Sequence, residues 1–184
     1  MTIDPHTGLL DAARFIASPN HNARPDGTVI DLLVIHNISL PAGEFGGPYV
    51  EQLFTNQLDS SAHPSFAELE GLKVSAHLFI RRTGEVIQFV PFNQRAWHAG
   101  VSQYDGRLNC NDFSIGIELE GTDTEAFTDQ QYAQLADATT AIIEAYPGIT
   151  VERITGHSNI APERKTDPGP AFDWKRFLNQ AGLA

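Results

Sequence analysis

The residues with the clearest capacity for chemistry lie in one stretch near the carboxyl end, residues 156–170. Within eleven positions it holds an imidazole, an ammonium and a carboxylate, from His157, Lys165 and Asp167. Three prolines and two glycines lie in the same stretch. Because proline fixes φ and removes a backbone donor, we expect a stiff loop. A stiff loop that carries several unlike charged groups indicates a site for chemistry.

A second imidazole, His36, follows an apolar run at residues 29–35 that predicts a central strand buried on both faces. His157 follows a short strand predicted at residues 151–155. If these strands are neighbours in a sheet, both imidazoles reach one edge, and Asp167 completes a set of two histidines and one carboxylate. A catalytic zinc takes three protein ligands and leaves a position for water. The histidines are 121 residues apart, so spacing alone supports this set only weakly.

Glu118 and Lys165 would complement such a metal. The predicted strand at residues 113–120 alternates, and small residues beside Glu118 on its polar face predict open space there. Glu118 could accept a proton from water, and Lys165 could stabilise the oxyanion formed at an amide carbonyl. The simpler alternatives are an ion pair for Glu118 and a solvated loop cation for Lys165.

The other histidines fit structural roles more readily. His77 lies among apolar neighbours in a predicted strand, which is typical of a core histidine, and His98 follows Trp97 in a loop where it either packs or touches substrate. Three more are expected at the surface because turn-forming residues surround them: His6, His21 and His63.

Composition narrows the class of protein. The 184 residues carry a net charge of −11, which argues against nucleic acid and anionic membranes as partners. A small anionic substrate would need the few cations to be concentrated in one place. We find no apolar run that predicts a membrane span and no leader pattern at the amino terminus. With the single cysteine, Cys110, this predicts a cytoplasmic protein without a disulfide framework.

Periodicity and turn signals predict one α/β domain over residues 1–184. Residues 39–72 are rich in loop formers and are expected to form a wall or gate over the site. The remaining elements are helices at 9–17, 49–57, 129–146 and 173–181, a hairpin of strands 74–80 and 85–90, and a capping box at Thr128–Gln131.

The chain also resembles a known family, the AmpD-type N-acetylmuramoyl-L-alanine amidases. The resemblance is colinear from about residue 9 to the final helix. It is carried by five blocks of sequence, residues 34–41, 43–47, 95–102, 111–123 and 156–170.

This resemblance implies a mixed central β-sheet flanked by helices, as in phage amidases and peptidoglycan recognition proteins. It implies zinc-dependent cleavage of the amide between the lactyl group of 1,6-anhydro-N-acetylmuramic acid and L-alanine, on anhydromuropeptides in the cytoplasm, without an obligate protein partner. Carried over residue by residue, it implies the following site: zinc ligands His36, His157 and Asp167, proton acceptor Glu118, transition-state stabiliser Lys165, and substrate contacts Asn37, Trp97 and Arg164.

Three alternatives remain open. The chain could be a zinc-free module that binds muropeptides, although all three metal ligands are present. It could be an amidase that lyses intact cell wall. Such a protein would be expected to carry a leader, a wall-binding repeat or a basic surface. A purely structural zinc would need a fourth protein ligand, for which His77 is the candidate.

Overall fold

The computed structural model describes residues 1–184 and is organised around a six-stranded mixed sheet. The strands are β1 Arg14–Phe15, β2 His21–Asn22, β3 Leu32–Ile38, β4 Leu78–Ile80, β5 Val86–Gln88, β6 Arg95–Ala96, β7 Gln103–Tyr104, β8 Arg107–Leu108, β9 Ser114–Glu120 and β10 Ile154–Gly156. The α-helices are α1 Tyr49–Phe54, α2 Asp129–Ala145, α3 His157–Ile160 and α4 Trp174–Gln180, and 3-10 helices span Pro64–Leu69, Cys110–Asp112 and Val151–Arg153.

The large sheet has the order β1-β5-β4-β9-β3-β10, and only β4 and β5 pair antiparallel. Two small ribbons, β2-β6 and β7-β8, lie outside it. Since β9, β3 and β10 run parallel, their carboxyl ends meet at one edge. This is the edge at which open α/β sheets commonly carry their sites.

Helices cover both faces of the sheet, as the fold-class prediction requires. On one face, α2 and α4 pack over a core of 20 buried residues that includes Ile115, Ile117 and Leu119 of β9. On the other face, a smaller cluster of nine residues joins α1 to β4 and β5. The alternation predicted over residues 113–120 is therefore confirmed from Ser114 to Glu120, with residues 114, 116, 118 and 120 opposite the larger core. Phe113 lies before the strand and packs in a separate cluster with Leu32 and Val34. No helix combines the length and the hydrophobicity that a bilayer crossing requires.

Several elements were predicted with the right type. These are α1, the β4-β5 hairpin, α2 with its reciprocal Thr128–Gln131 capping box, and α4 with Asp173 as its N-cap. The capping box satisfies two backbone N–H groups that the first turn of α2 leaves free.

The helix predicted at residues 9–17 was wrong. Arg14 and Phe15 instead form the edge strand β1, parallel to β5. The backbone N–H of Ile16 donates to the carbonyl of Gln88 at 2.9 Å, and the Leu10 N–H donates to the Gln88 side chain at 2.8 Å. These contacts with a strand more than 70 residues away outweigh the weak helical spacing of the segment.

Two strand boundaries and one loop also differ from the predictions. β3 begins at Leu32 and continues to Ile38, so His36 lies inside the strand rather than after it. Residues 151–153 form a 3-10 turn before β10, and the stretch predicted as a loop from residue 156 opens with the short helix α3.

We predict that Thr128→Ala lowers the free energy of unfolding by about 1 kcal/mol, because the threonine hydroxyl accepts from the Gln131 N–H. Urea denaturation followed by circular dichroism measures the change. Thr124→Ala, at an exposed position a few residues earlier, is the control and should change stability little. Equal stability of the two variants would contradict the capping role.

Candidate active site

The strand register brings three distant residues together at the carboxyl edge of the sheet. Ile35 on β3 is paired with Gly156 on β10, so the residues that follow, His36 and His157, lie side by side. Asp167 reaches the same point from the loop after α3. The Nδ1 atoms of the two histidines are 2.9 Å apart, and each is 3.1 Å from Asp167 Oδ2.

This donor set fits a zinc ion. Two imidazole nitrogens and a carboxylate oxygen converge with their ligand atoms all within 4.8 Å of one another. Tetrahedral zinc with ligands at about 2.0–2.1 Å places neighbouring ligand atoms roughly 3.3 Å apart, so a small expansion of this group accommodates it. Both histidines are buried, and the Asp167 side chain is 14% exposed.

A fourth protein ligand is absent. His77, the candidate for that position, uses both ring nitrogens elsewhere: Nδ1 accepts from the Gly116 N–H at 3.0 Å, and Nε2 lies 3.0 Å from the Gln94 carbonyl. His77 is thus the buried core histidine that the sequence indicated. A metal site with three protein ligands has the composition of a catalytic site rather than that of a closed structural one.

Glu118 lies directly beside the metal-ligand candidates. It is opposite His36 in the β3-β9 register, and its Oε1 is 4.0 Å from His36 Nδ1. Its Oε2 is buried without a hydrogen-bond partner, and no lysine or arginine pairs with it. Burial raises the pKa of this carboxyl well above its usual value, Asp167 raises it further, and Lys165 opposes the shift. A carboxylate without a partner is free to hold a proton.

The open space expected beside Glu118 exists, since Glu118 lines a cavity, but the space over the small residues 114 and 116 is filled by His98. A Cβ atom at Gly116 would clash with Nδ1 of His98, so the imidazole of His98 occupies the space that the glycine provides. The same ring lies 2.9 Å from His36 Nε2 through its own Nδ1 and 3.1 Å from Ser114 Oγ through Nε2. Neither role considered for His98 from the sequence included contact with a metal-ligand candidate. The small residues at 114 and 116 were the signal for it.

A cavity of about 280 Å³ opens onto these groups. Its apolar wall comes from the segment predicted to cover the site and from its flanks, with Leu40, Leu53, Phe54, Leu69 and Leu72 among the lining residues.

Glu120 ties this wall to β9, since its Oε1 accepts from the Gly46 N–H at 2.6 Å and its Oε2 accepts from the Arg82 N–H at 3.0 Å.

The remaining site candidates differ in whether they line the cavity. Asn37, Trp97 and Lys165 line the cavity, and the Trp97 indole donates to Asn22 Oδ1 at 2.7 Å. Arg164 does not line it; its guanidinium donates to the carbonyls of Ala99 at 2.7 Å and Val101 at 2.9 Å.

Cations are not concentrated at the cavity, since Lys165 is the only lysine or arginine that lines it. Most arginines form ion pairs elsewhere, among them Arg81–Glu51, Arg95–Asp112 and Arg107–Asp31.

Comparison with known proteins identifies the class. The family model described as N-acetylmuramoyl-L-alanine amidase matches residues 26–170. The chain belongs to this family of amide hydrolases and is an enzyme of that class. A likeness in fold alone extends to an endolysin amidase from Clostridium intestinale, with a TM-score of 0.67 at 15% identity over 96% of this chain and 99% of that one.

Within the family, relatives of the AmpD type share more than half of their residues with this chain, as the sequence resemblance implied. The 1,6-anhydro-N-acetylmuramyl-L-alanine amidase AmpD of Escherichia coli K12 is 64% identical over 92% of each chain. The AmpD of Haemophilus influenzae is 53% identical over 96% of each chain. A crystal structure of a selenomethionine AmpD derivative superposes with a TM-score of 0.94, at 60% identity over 98% of this chain and 99% of that one.

We predict an acid-sensitive fold in the metal-free protein, with His77 as one cause. Burial, with the nearby Arg24 charge, lowers the pKa of His77 to about 3 from 6.5. Between these values the unfolded chain binds a proton that the folded chain does not, so stability present above pH 6.5 is lost as the pH falls towards 3. The loss for one such group is on the order of a few kcal/mol.

Urea denaturation at several pH values between 7 and 4, with a chelator present, measures this loss. His77→Gln should be less stable at pH 7 but lose less stability on acidification. His6→Gln, at an exposed position, should keep the original slope. An unchanged slope in His77→Gln would show that this histidine does not contribute to the acid sensitivity.

Proposed function

We propose that the chain hydrolyses the amide between the lactyl group of 1,6-anhydro-N-acetylmuramic acid and the L-alanine of the stem peptide, with zinc as its cofactor. The observation that carries the proposal is the convergence of His36, His157 and Asp167 beside a carboxylate, Glu118, that has an unpartnered buried oxygen. The names of the AmpD relatives supply the substrate class. A structure of E. coli AmiD, 30% identical over 88% of this chain and 61% of that one with a TM-score of 0.62, contains an anhydro-N-acetylmuramic acid peptide described as substrate.

His36, His157 and Asp167 would hold the zinc through Nδ1, Nδ1 and Oδ2. When bound, zinc supplies Lewis acidity that polarises the lactyl carbonyl and makes water more acidic. The ligand histidines must be neutral to bind, so protons compete with the metal and binding weakens in acid.

Glu118 would act as the proton carrier of the reaction. Its buried position beside His36 supports this role, because a carboxylate there could take a proton from an attacking water. The same carboxyl can then deliver that proton to the amine of the departing alanine. The raised pKa of Glu118 favours this second step, because a carboxyl that holds its proton can donate it.

Lys165 lines the same cavity and would stabilise the negative charge that develops on the carbonyl oxygen. We propose Asn37 and Trp97 as substrate contacts, since both reach the cavity. Arg164 was predicted as a third contact. Its bonds to two carbonyls support an indirect contribution, through the loop that it holds.

The apolar wall suits the hydrophobic faces of the sugar and the lactyl group.

We further propose that residues 1–184 act as one domain, since β1, outside the region matched by the family model, completes the central sheet. The cellular role that follows is recycling of peptidoglycan fragments in the cytoplasm, which would limit β-lactamase induction by consuming the inducing muropeptide.

The direct test is mass spectrometry of anhydro-N-acetylmuramyl-tripeptide incubated with the zinc-loaded chain. We expect release of the free tripeptide, loss of release in a chelator, and recovery when zinc is restored. The same peptide on ordinary N-acetylmuramic acid is the matched substrate for testing preference for the anhydro ring. Binding without peptide release would favour a non-catalytic muropeptide-binding module, and release unaffected by removal of zinc would contradict the metal assignment.

Glu118→Gln should lower kcat by roughly 10²- to 10⁴-fold, because the amide cannot take the proton that general-base catalysis requires. Zinc content, measured by elemental analysis after dialysis, should stay at the wild-type level because Glu118 is not one of the three ligands. Glu70→Gln, at an exposed wall position, is the control for a changed carboxyl elsewhere. A Glu118→Gln enzyme with near-normal turnover would remove Glu118 from the mechanism.

A further inference from the structure

Both histidine candidates for the metal site turn their outer ring nitrogens towards one dipeptide, His98–Ala99. His36 Nε2 lies 2.9 Å from His98 Nδ1, and His157 Nε2 lies 3.1 Å from the Ala99 carbonyl oxygen. We propose that this dipeptide positions both ligands and sets which nitrogen each offers to the metal. The inference rests on the proposed zinc site and adds positioning residues to it.

If Nδ1 of both histidines is reserved for the metal, the remaining hydrogen bonds permit one consistent arrangement of protons. A carbonyl oxygen can only accept, so His157 carries its proton on Nε2 and leaves the Nδ1 lone pair for the metal. His36 offers Nδ1 in the same way only if its Nε2 carries a proton and donates to His98 Nδ1. His98 must then be protonated on Nε2, which donates to Ser114 Oγ at 3.1 Å. The chain of donors therefore runs from His36 through His98 to Ser114.

The dipeptide is itself held in place from three sides. Asn111 Oδ1 accepts from the N–H of His98 at 3.0 Å and from the N–H of Ala99 at 2.7 Å. Arg164 donates to the Ala99 carbonyl, and Gly116 lacks the side chain that would otherwise clash with the His98 ring. Such outer hydrogen-bond partners fix the orientation of a metal-ligating histidine and raise its basicity.

A ring that merely filled space would have the same neighbours, so the test must separate packing from hydrogen bonding. Asn and Leu have nearly the same size, and His98→Asn can present an oxygen near the position of the native Nδ1, whereas His98→Leu cannot. We expect His98→Leu to weaken zinc binding by about 10- to 100-fold and His98→Asn to recover most of that loss. Competition with a fluorescent zinc chelator measures both affinities, and thermal unfolding of the metal-free variants checks that each is folded.

Equal losses in the two variants would overturn the proposal, as would a His98→Leu protein that binds zinc as the wild type does. If the variants do not fold, ¹⁵N NMR of the zinc-loaded wild-type chain decides instead. The expected spectrum shows His98 protonated on Nε2 and His36 metal-bound through Nδ1; protonation of His98 on Nδ1 would refute the arrangement. Failure of the wild-type chain to bind zinc would instead refute the proposed function, so the two failures are distinguishable.

Discussion

The parallel register of β3 with β9 and β10 is the constraint on which the site depends. It places His36 opposite Glu118 and next to the start of α3, where His157 lies. A slip of one residue would turn every side chain of a strand to the other face. Ile115, Ile117 and Leu119, buried in the larger core, make such a slip costly and so hold Glu118 on the face of the site.

The site carries electrostatic strain that the rest of the fold must offset. Glu118 has an unpartnered buried oxygen, and Asp167 lies close enough to raise its pKa further. Nδ1 of His36 and Nδ1 of His157 lie 2.9 Å apart at the same point. A cation bound here would offset the repulsion between the carboxylates of Glu118 and Asp167. It would also bind the Nδ1 lone pairs of the two histidines. Metal binding and stability of the folded chain should therefore be coupled.

The sequence allowed prediction of the parts of the site whose signals are local. Glu118 could be placed on a face by the alternation of β9, and the start of α2 by a capping box. The pairing of His36 with His157 required an assumption about which strands are neighbours, and resemblance to a family had to supply it. The helix predicted at residues 9–17 failed for a related reason, since bonds to Gln88 decide that segment. The role of His98 was hidden because a glycine signals only that a neighbour approaches, without indicating which one.

Two carboxylates on one face of β9, Glu118 and Glu120, have opposite surroundings. This difference decides where the apolar wall of the cavity is anchored. Glu120 is bonded to Gly46 and Arg82, while Glu118, two residues earlier, has a free oxygen. Same-face neighbours on a strand are about 6.6–6.8 Å apart, a separation that the strand backbone keeps constant. The point where the wall is anchored is thus held at a set distance from the Glu118 carboxylate. Because the Gly46 N–H is bonded to Glu120, the loop that carries Gly46 cannot move away from the floor of the cavity without losing this bond.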